Sequence, residues 1–265
     1  MSSNNVGKQI TDIHIGQKKV IIKFLDGKMD LTLNAYTECR LFKSKILTRA
    51  DIDKINALNE LDIYQTYAKK LLAASYRSEN YIREKLKAKG AKPRQINEVV
   101  KQLKLYSLID DKTYLKELLN LASYKHFGKT KTIAFLKQKG IEASLIKTVV
   151  FTENSEEKKA MELLPALEKR FSKYCHQGMK DHVYAALIRN GFSNEIAKRC
   201  VETLKSIDSN EELEILRKDY IKIFRKYLRK YEPDERNQKI VNYLMQKGYR
   251  YKDIIKVKGE MLNES

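Results

Sequence analysis

Two hundred and sixty-five residues carry 53 lysines and arginines against 34 aspartates and glutamates, a formal net charge of +19. Ten glycines, three prolines and no tryptophan, in a chain that is 33% charged and 42% hydrophobic, describe a helix-rich protein and exclude a collagen, a disulfide scaffold and a disordered tail. The basic excess calls for an acidic partner, nucleic acid or an acidic protein surface, and its even spread along the chain argues for a long basic face rather than a charged arm.

Met1 to Lys8 lacks the apolar stretch of a signal peptide, and no apolar run approaches the ~18 residues of a bilayer span, so a cytoplasmic chain without membrane contact is expected. Residues 10–33 alternate: Ile10 to Ile15, then Val20-Ile21-Ile22-Lys23-Phe24, then Met29 to Leu33, with Asp26-Gly27 as a hairpin signal. A small antiparallel β-meander is predicted, leaning on short helices over Thr37–Lys45 and Ala50–Asn59, where Thr48-Arg49-Ala50-Asp51 resembles a capping box.

From about residue 60 the chain repeats itself. Leu86, Leu136, Leu187 and Leu244 are each followed four residues later by a glycine, Gly90, Gly140, Gly191 and Gly248, and then by Ile96, Ile146, Ile196 and Ile254. A helix that ends on a left-handed glycine, a short turn and a second helix satisfy this pattern. A third amphipathic helix precedes each pair, over 61–74, 110–127, 156–174 and 210–231, with Ser155 and Asn210 as caps and Pro93 and Pro233 at helix boundaries. The predicted organisation is 1–59, a β-meander plus short helices, and four three-helix units at 60–109, 110–154, 155–208 and 209–265. The fold class is mainly α, tandem three-helix repeats in an elongated curved array with a small N-terminal antiparallel β region.

Several residue sets could carry chemistry. Gly128-Lys129-Thr130 matches the tail of a phosphate-binding loop, but Ser123 stands where the first glycine is required and helical periodicity precedes it. Asp110-Asp111 reads as a helix cap and a first-turn charge rather than a metal pair. Cys175, His176, His182 and Cys200 have none of the usual zinc spacings, and three distant cysteines, Cys39 included, read as reduced thiols. No catalytic residues, metal ligands or cofactor are therefore expected.

The stretch Tyr76-Arg77-Ser78-Glu79-Asn80-Tyr81-Ile82-Arg83-Glu84-Lys85-Leu86-Lys87-Ala88-Lys89-Gly90, followed by Leu108-Ile109-Asp110-Asp111, resembles the opening motifs of the RecX regulatory family. Gly128-Lys129-Thr130-Lys131 through Lys139-Gly140-Ile141 is similar to that family's second element. Tyr81 replaces its usual acidic residue, Arg189-Asn190-Gly191 stands where Lys-Gly is expected, and the strand region matches only longer members. The resemblance implies a non-enzymatic cytoplasmic modulator that lies on the RecA–DNA filament and lowers RecA's ATPase, strand exchange and coprotease activities, acting in recombination and DNA repair. A monomer is expected, with sequence-independent binding of single- or double-stranded DNA as a further interaction.

The expected contact residues are Lys85, Lys87, Lys89, Lys137, Lys139, Arg189 and Lys247 at the helix ends before the glycines, with Arg225, Lys226, Arg229 and Lys230 in the densest basic run. Cations at helix C-termini have a structural explanation in the helix dipole. Their recurrence in successive repeats suggests instead a periodic basic track that fits a repeating partner. A plain nucleic-acid-binding protein without a RecA contact fits the same charges.

Overall fold

The computed structural model describes residues 7–205 and 207–263; the opening Met1–Val6, part of the segment weighed above as a signal peptide, lies outside them. Five strands and thirteen helices occupy the described residues. They divide into two compact units, residues 1–116 with 137–145, and residues 117–136 with 146–265.

The first unit begins with β1 (Lys8–Gln9), β2 (Asp12–Ile15), β3 (Val20–Phe24) and β4 (Gly27–Leu31), then α1 (Leu33–Glu38), β5 (Ile46–Leu47) and α2 (Arg49–Ala74). β2, β3 and β4 form the predicted antiparallel meander, while β1 pairs with β5 as a separate ribbon. Phe24 pairs with Gly27, so the hairpin turns on Leu25-Asp26, one residue earlier than the Asp-Gly signal suggests. The pleat period of two sends Val20, Ile22 and Leu31 into a core with Ile10, Leu41, Leu47 and Ile55. Complete burial of each branched side chain contributes about 1.5–3 kcal/mol.

The helices predicted over Thr37–Lys45 and Ala50–Asn59 need correction. α1 begins earlier, capped by the Thr32 hydroxyl on Ala35 N–H, and ends by Cys39, after which Arg40 and Ser44 take positive φ that no helix accommodates. α2 starts at the Thr48/Asp51 capping box and runs unbroken through residue 59, because no glycine or proline interrupts it before Ala74. Its first half buries Ile55 under the meander. Its second half buries Ala68 against α3 (Glu79–Ala88) and α4 (Pro93–Leu105), where Ile82, Leu86, Ile96, Val99, Val100 and Leu103 form the next core.

α5 (Asp111–Tyr124), α6 (Lys129–Gln138) and the five-residue α7 (Ala143–Lys147) follow. The second unit continues with α8 (Glu153–Phe171), α9 (His176–Arg189) and α10 (Asn194–Glu202) around Leu164, Phe171, Val183, Leu187 and Cys200. It closes with α11 (Ser209–Tyr227), α12 (Pro233–Gln246) and α13 (Tyr251–Asn263) around Leu216, Tyr220, Ile240, Leu244 and Ile254. The caps of α8 and α11 are Thr152 and Asp208, not Ser155 and Asn210; the earlier polar residue takes the extended backbone that a cap requires.

The Leu-x-x-x-Gly repeat is a helix-ending motif. At Gly191, with φ +89°, the glycine N–H donates to Ile188 C=O and Phe192 N–H donates to Leu187 C=O, while Phe192 and Leu187 are both buried. Gly90 and Gly248 end their helices in the same way. These turns also serve as sockets. Gly191 lies against Gly128, where Gly128 N–H donates to Asn190 C=O and Thr130 N–H to Gly191 C=O. Gly248 lies against Gly178, with Cys175 N–H donating to Lys247 C=O at 2.9 Å, and Gly140 faces Ser78, whose hydroxyl donates to Lys139 C=O at 3.0 Å. Three times, the start of one repeat's second helix receives the glycine turn of the next repeat.

Candidate functional site

α11 sorts its residues by helical geometry. Leu216, Tyr220 and Ile223 are buried, whereas Lys218, Lys222, Arg225 and Lys226 are exposed, at the i, i+4 and i+7 spacings of one face. Arg229 and Lys230, directly after the helix, are exposed too. Among the described residues none of these six cations has a carboxylate within ion-pair distance, although Arg217 on the same helix is held by Glu214 and Glu260, each at 2.5 Å. Positive charge at the helix C-terminus is favoured by the dipole, and among the described residues no carboxylate pairs with it. Beside it, the Arg236 guanidinium lies 4.8 Å from the Phe224 ring centroid and Lys239 Nζ lies 4.6 Å from that of Tyr231. Arg236 and Lys239 are not among the expected contact residues, the interleaved aromatics of 220–231 being the sequence signal for them, and Lys239 also pairs with Glu235 at 3.4 Å.

The helix-end cations divide. Lys85, Lys87 and Lys89 are exposed at the end of α3, with Lys85 Nζ 5.4 Å from the Tyr81 ring and Lys89 Nζ 4.8 Å from the Tyr67 ring. Lys137 and Arg189 are exposed, and Lys139 is half-buried, with its carbonyl taken by Ser78. Lys247 is different: its ammonium donates to Asp219 at 2.8 Å, and Tyr249 O–H donates to the same carboxylate oxygen at 3.0 Å. Burial, followed by the negative charge of Asp219, pushes the Tyr249 phenol far above its usual range, so it stays a donor. Lys247 is thus a structural cation that completes the Gly248 socket.

The residues weighed for other chemistries are engaged in packing. The N–H groups of Gly128, Lys129 and Thr130 that would cradle a phosphate already donate to Asn190 C=O, to the buried Glu156 carboxylate at 2.5 Å and to Gly191 C=O. Asp110 caps α5 through Lys112 and Thr113 N–H, and the Thr113 hydroxyl hydrogen bond holds its carboxyl below the usual range. Asp111 accepts from Glu79 N–H at 2.9 Å, and burial pushes its carboxyl up. Cys175 accepts from Gly178 N–H as the α9 cap, burial pushing its thiol up; His182 stacks on Phe171; Cys200 is core. All three cysteines are free, and among the described residues no three His, Cys, Asp or Glu side chains converge as a metal site would require.

No helix among the described residues is long and apolar enough to cross a membrane. Residues 210–257, nearly all of α11–α13, match the family model described as the third three-helix domain of RecX. The chain is 29% identical to the regulatory protein RecX of Listeria monocytogenes and 30% identical to that of Listeria welshimeri, in both cases over 93% of this chain and 94% of the relative. A crystal structure of a regulatory protein RecX superposes with a TM-score of 0.58 at 21% identity, covering 74% of this chain and 99% of that one, and shows the shared fold. The sequence motifs, the three-helix domain and this nearly full-length similarity together place the chain in the RecX family of regulatory proteins.

Proposed function

We propose that this chain binds the RecA–DNA filament and restrains RecA's ATPase, strand exchange and coprotease activities. Membership of the family supplies the regulatory role. The observation that carries the contact is the α11 stripe: six exposed cations on and beside one helix, with no carboxylate at ion-pair distance among the described residues. Cations so arranged lose little hydration to internal partners and are available to phosphates or to acidic protein surface. The exposed helix ends Lys85, Lys87, Lys89, Lys137 and Arg189 extend the reading to other repeats; Lys139 contributes less because it is half-buried, and Lys247 because Asp219 already engages its ammonium.

RecA ATPase is measured at saturating DNA with increasing amounts of this protein, then at twice that DNA. Inhibition that persists supports a filament contact. Inhibition relieved by the added DNA means simple competition for phosphates, and the protein is then a sequence-independent nucleic-acid binder. Binding to DNA alone should fall linearly in log affinity with log salt and be indifferent to base sequence.

A further inference from the structure

The N-terminal meander and α2 enclose a groove of about 490 Å³ within the first unit, built from the β2–β3 loop, the β4–α1 link, the middle of α2 and the end of α3. Two aliphatic side chains line it side by side with polar ones: Leu33, 44% exposed, and Ile63, 43% exposed. Lys18, Lys70 and Lys89 line it too, and none has a carboxylate at ion-pair distance among the described residues. One acidic residue, Asp62, lines the same groove. The α11 cations belong to the other unit and play no part here.

We propose that this groove is a docking site for an acidic peptide segment of a partner protein, anchored by one aliphatic side chain between Leu33 and Ile63. Charge complementarity selects the occupant: three ammonium groups with no carboxylate at ion-pair distance among the described residues favour an anionic ligand, and two half-exposed aliphatic side chains favour one that also carries an apolar group. Nucleic acid satisfies only the first condition. Single strands are gripped by stacking bases on open aromatic faces, and the one aromatic ring in the groove, Tyr67, is half-buried in the helical core and already has the Lys89 ammonium 4.8 Å from its centroid. Carboxylates spaced along a peptide reach the lysines while one leucine-sized side chain packs between Leu33 and Ile63.

The test uses the full chain and fluorescence anisotropy with two labelled ten-residue peptides, one of glutamates with a central leucine and one with alanine in its place. The leucine peptide should bind about tenfold more tightly, on the scale of about two methylene-sized groups removed from water, since an open groove covers only part of the side chain. Lys18→Glu with Lys70→Glu should weaken both peptides at least tenfold, whereas Lys43→Glu with Lys54→Glu, equally exposed outside the groove, should leave them within about twofold. Ile63→Ser should equalise the two peptides while keeping the charge-driven binding, and its half-exposed position makes the variant compatible with folding, checked by thermal unfolding. Equal binding of the two peptides to the parent protein overturns the proposal. So does equal loss from both double variants, and so does full displacement of the leucine peptide by oligothymidylate together with loss of oligothymidylate binding in the Lys18/Lys70 variant.

Discussion

The meander and α11 are both rich in lysine, yet they hold their charge differently. In the meander, Lys19 and Lys23 meet Asp30 and Asp12 at 2.5 and 3.2 Å across neighbouring strands, Lys8 of β1 reaches Asp26 in the hairpin turn at 2.6 Å, and all six side chains are about half exposed. On α11, Lys218, Lys222, Arg225 and Lys226 face solvent with no carboxylate at that range, and Glu214 and Glu260 go to Arg217 alone. Net charge therefore says little about which cations a partner can use. An antiparallel ladder brings opposite charges into register, whereas a helix with apolar residues on one side gathers its cations on the other.

The largest effect should come from reversing Arg225, Lys226, Arg229 and Lys230 to glutamate. RecA inhibition should weaken by about two orders of magnitude, on the scale of several lost charge contacts. Thermal stability should change little, since exposed charges contribute about 1 kcal/mol or less each. Reversing Lys19, Lys23 and Lys28, which lie outside the groove, should cost inhibition much less and stability more, because it sets glutamates against Asp30 and Asp12. Equal loss of inhibition from both sets would dissolve the distinction and leave overall charge as the cause.

Gly248→Ala sharpens the comparison by disturbing what supports α11 without touching its charges. The added methyl would stand 2.6 Å from the Gly178 Cα at a residue with φ +98°. Overpacking of about 1–3 kcal/mol, with roughly 1 kcal/mol more for the left-handed backbone, should appear as a lower urea midpoint. Gly259→Ala, on α13 with open space around it, should instead stabilise by about 0.5–1 kcal/mol. An unchanged midpoint for Gly248→Ala would mean the glycine socket yields.

Lys247→Met separates an engaged cation from the open ones. It leaves the partly buried Asp219 without its ammonium, so stability should fall by about 1–2 kcal/mol with only a matching change in RecA inhibition. Arg229→Met should do the reverse, with unfolding unchanged and inhibition weakened.

The smallest effect is the response of the meander to acid. Hydrogen bonds from Lys23, Lys8 and Lys19 hold the carboxyls of Asp12, Asp26 and Asp30 below their ordinary range. Folded values lower than unfolded ones give a contribution that is complete above the ordinary aspartate range, about pH 4, and is lost as pH falls through the lowered values. Amide protection across β2–β4, corrected for the intrinsic pH dependence of exchange, should fall over that window, and unchanged protection would mean that these pairs contribute nothing.

Much of the architecture is written locally. Alternation over 10–33 and the leucine–glycine spacing were enough for a meander and helix–turn–helix repeats, because pleat, helix period and left-handed caps are short-range constraints. The termini of α1, α8 and α11 moved because several polar residues compete for each cap, and backbone geometry chooses among them. The seating of Gly191 on Gly128 and of Gly248 on Gly178 joins residues some seventy positions apart at most, and no local pattern announces it. Charge obeys the same division. Sequence alone showed where the lysines and arginines fall and that the phosphate-loop match was incomplete. Only tertiary structure decided that Lys247 belongs to Asp219, that Glu156 occupies the Lys129 N–H, and that the α11 cations remain open, because an ion pair depends on distances of a few ångströms between side chains that the chain order does not place together.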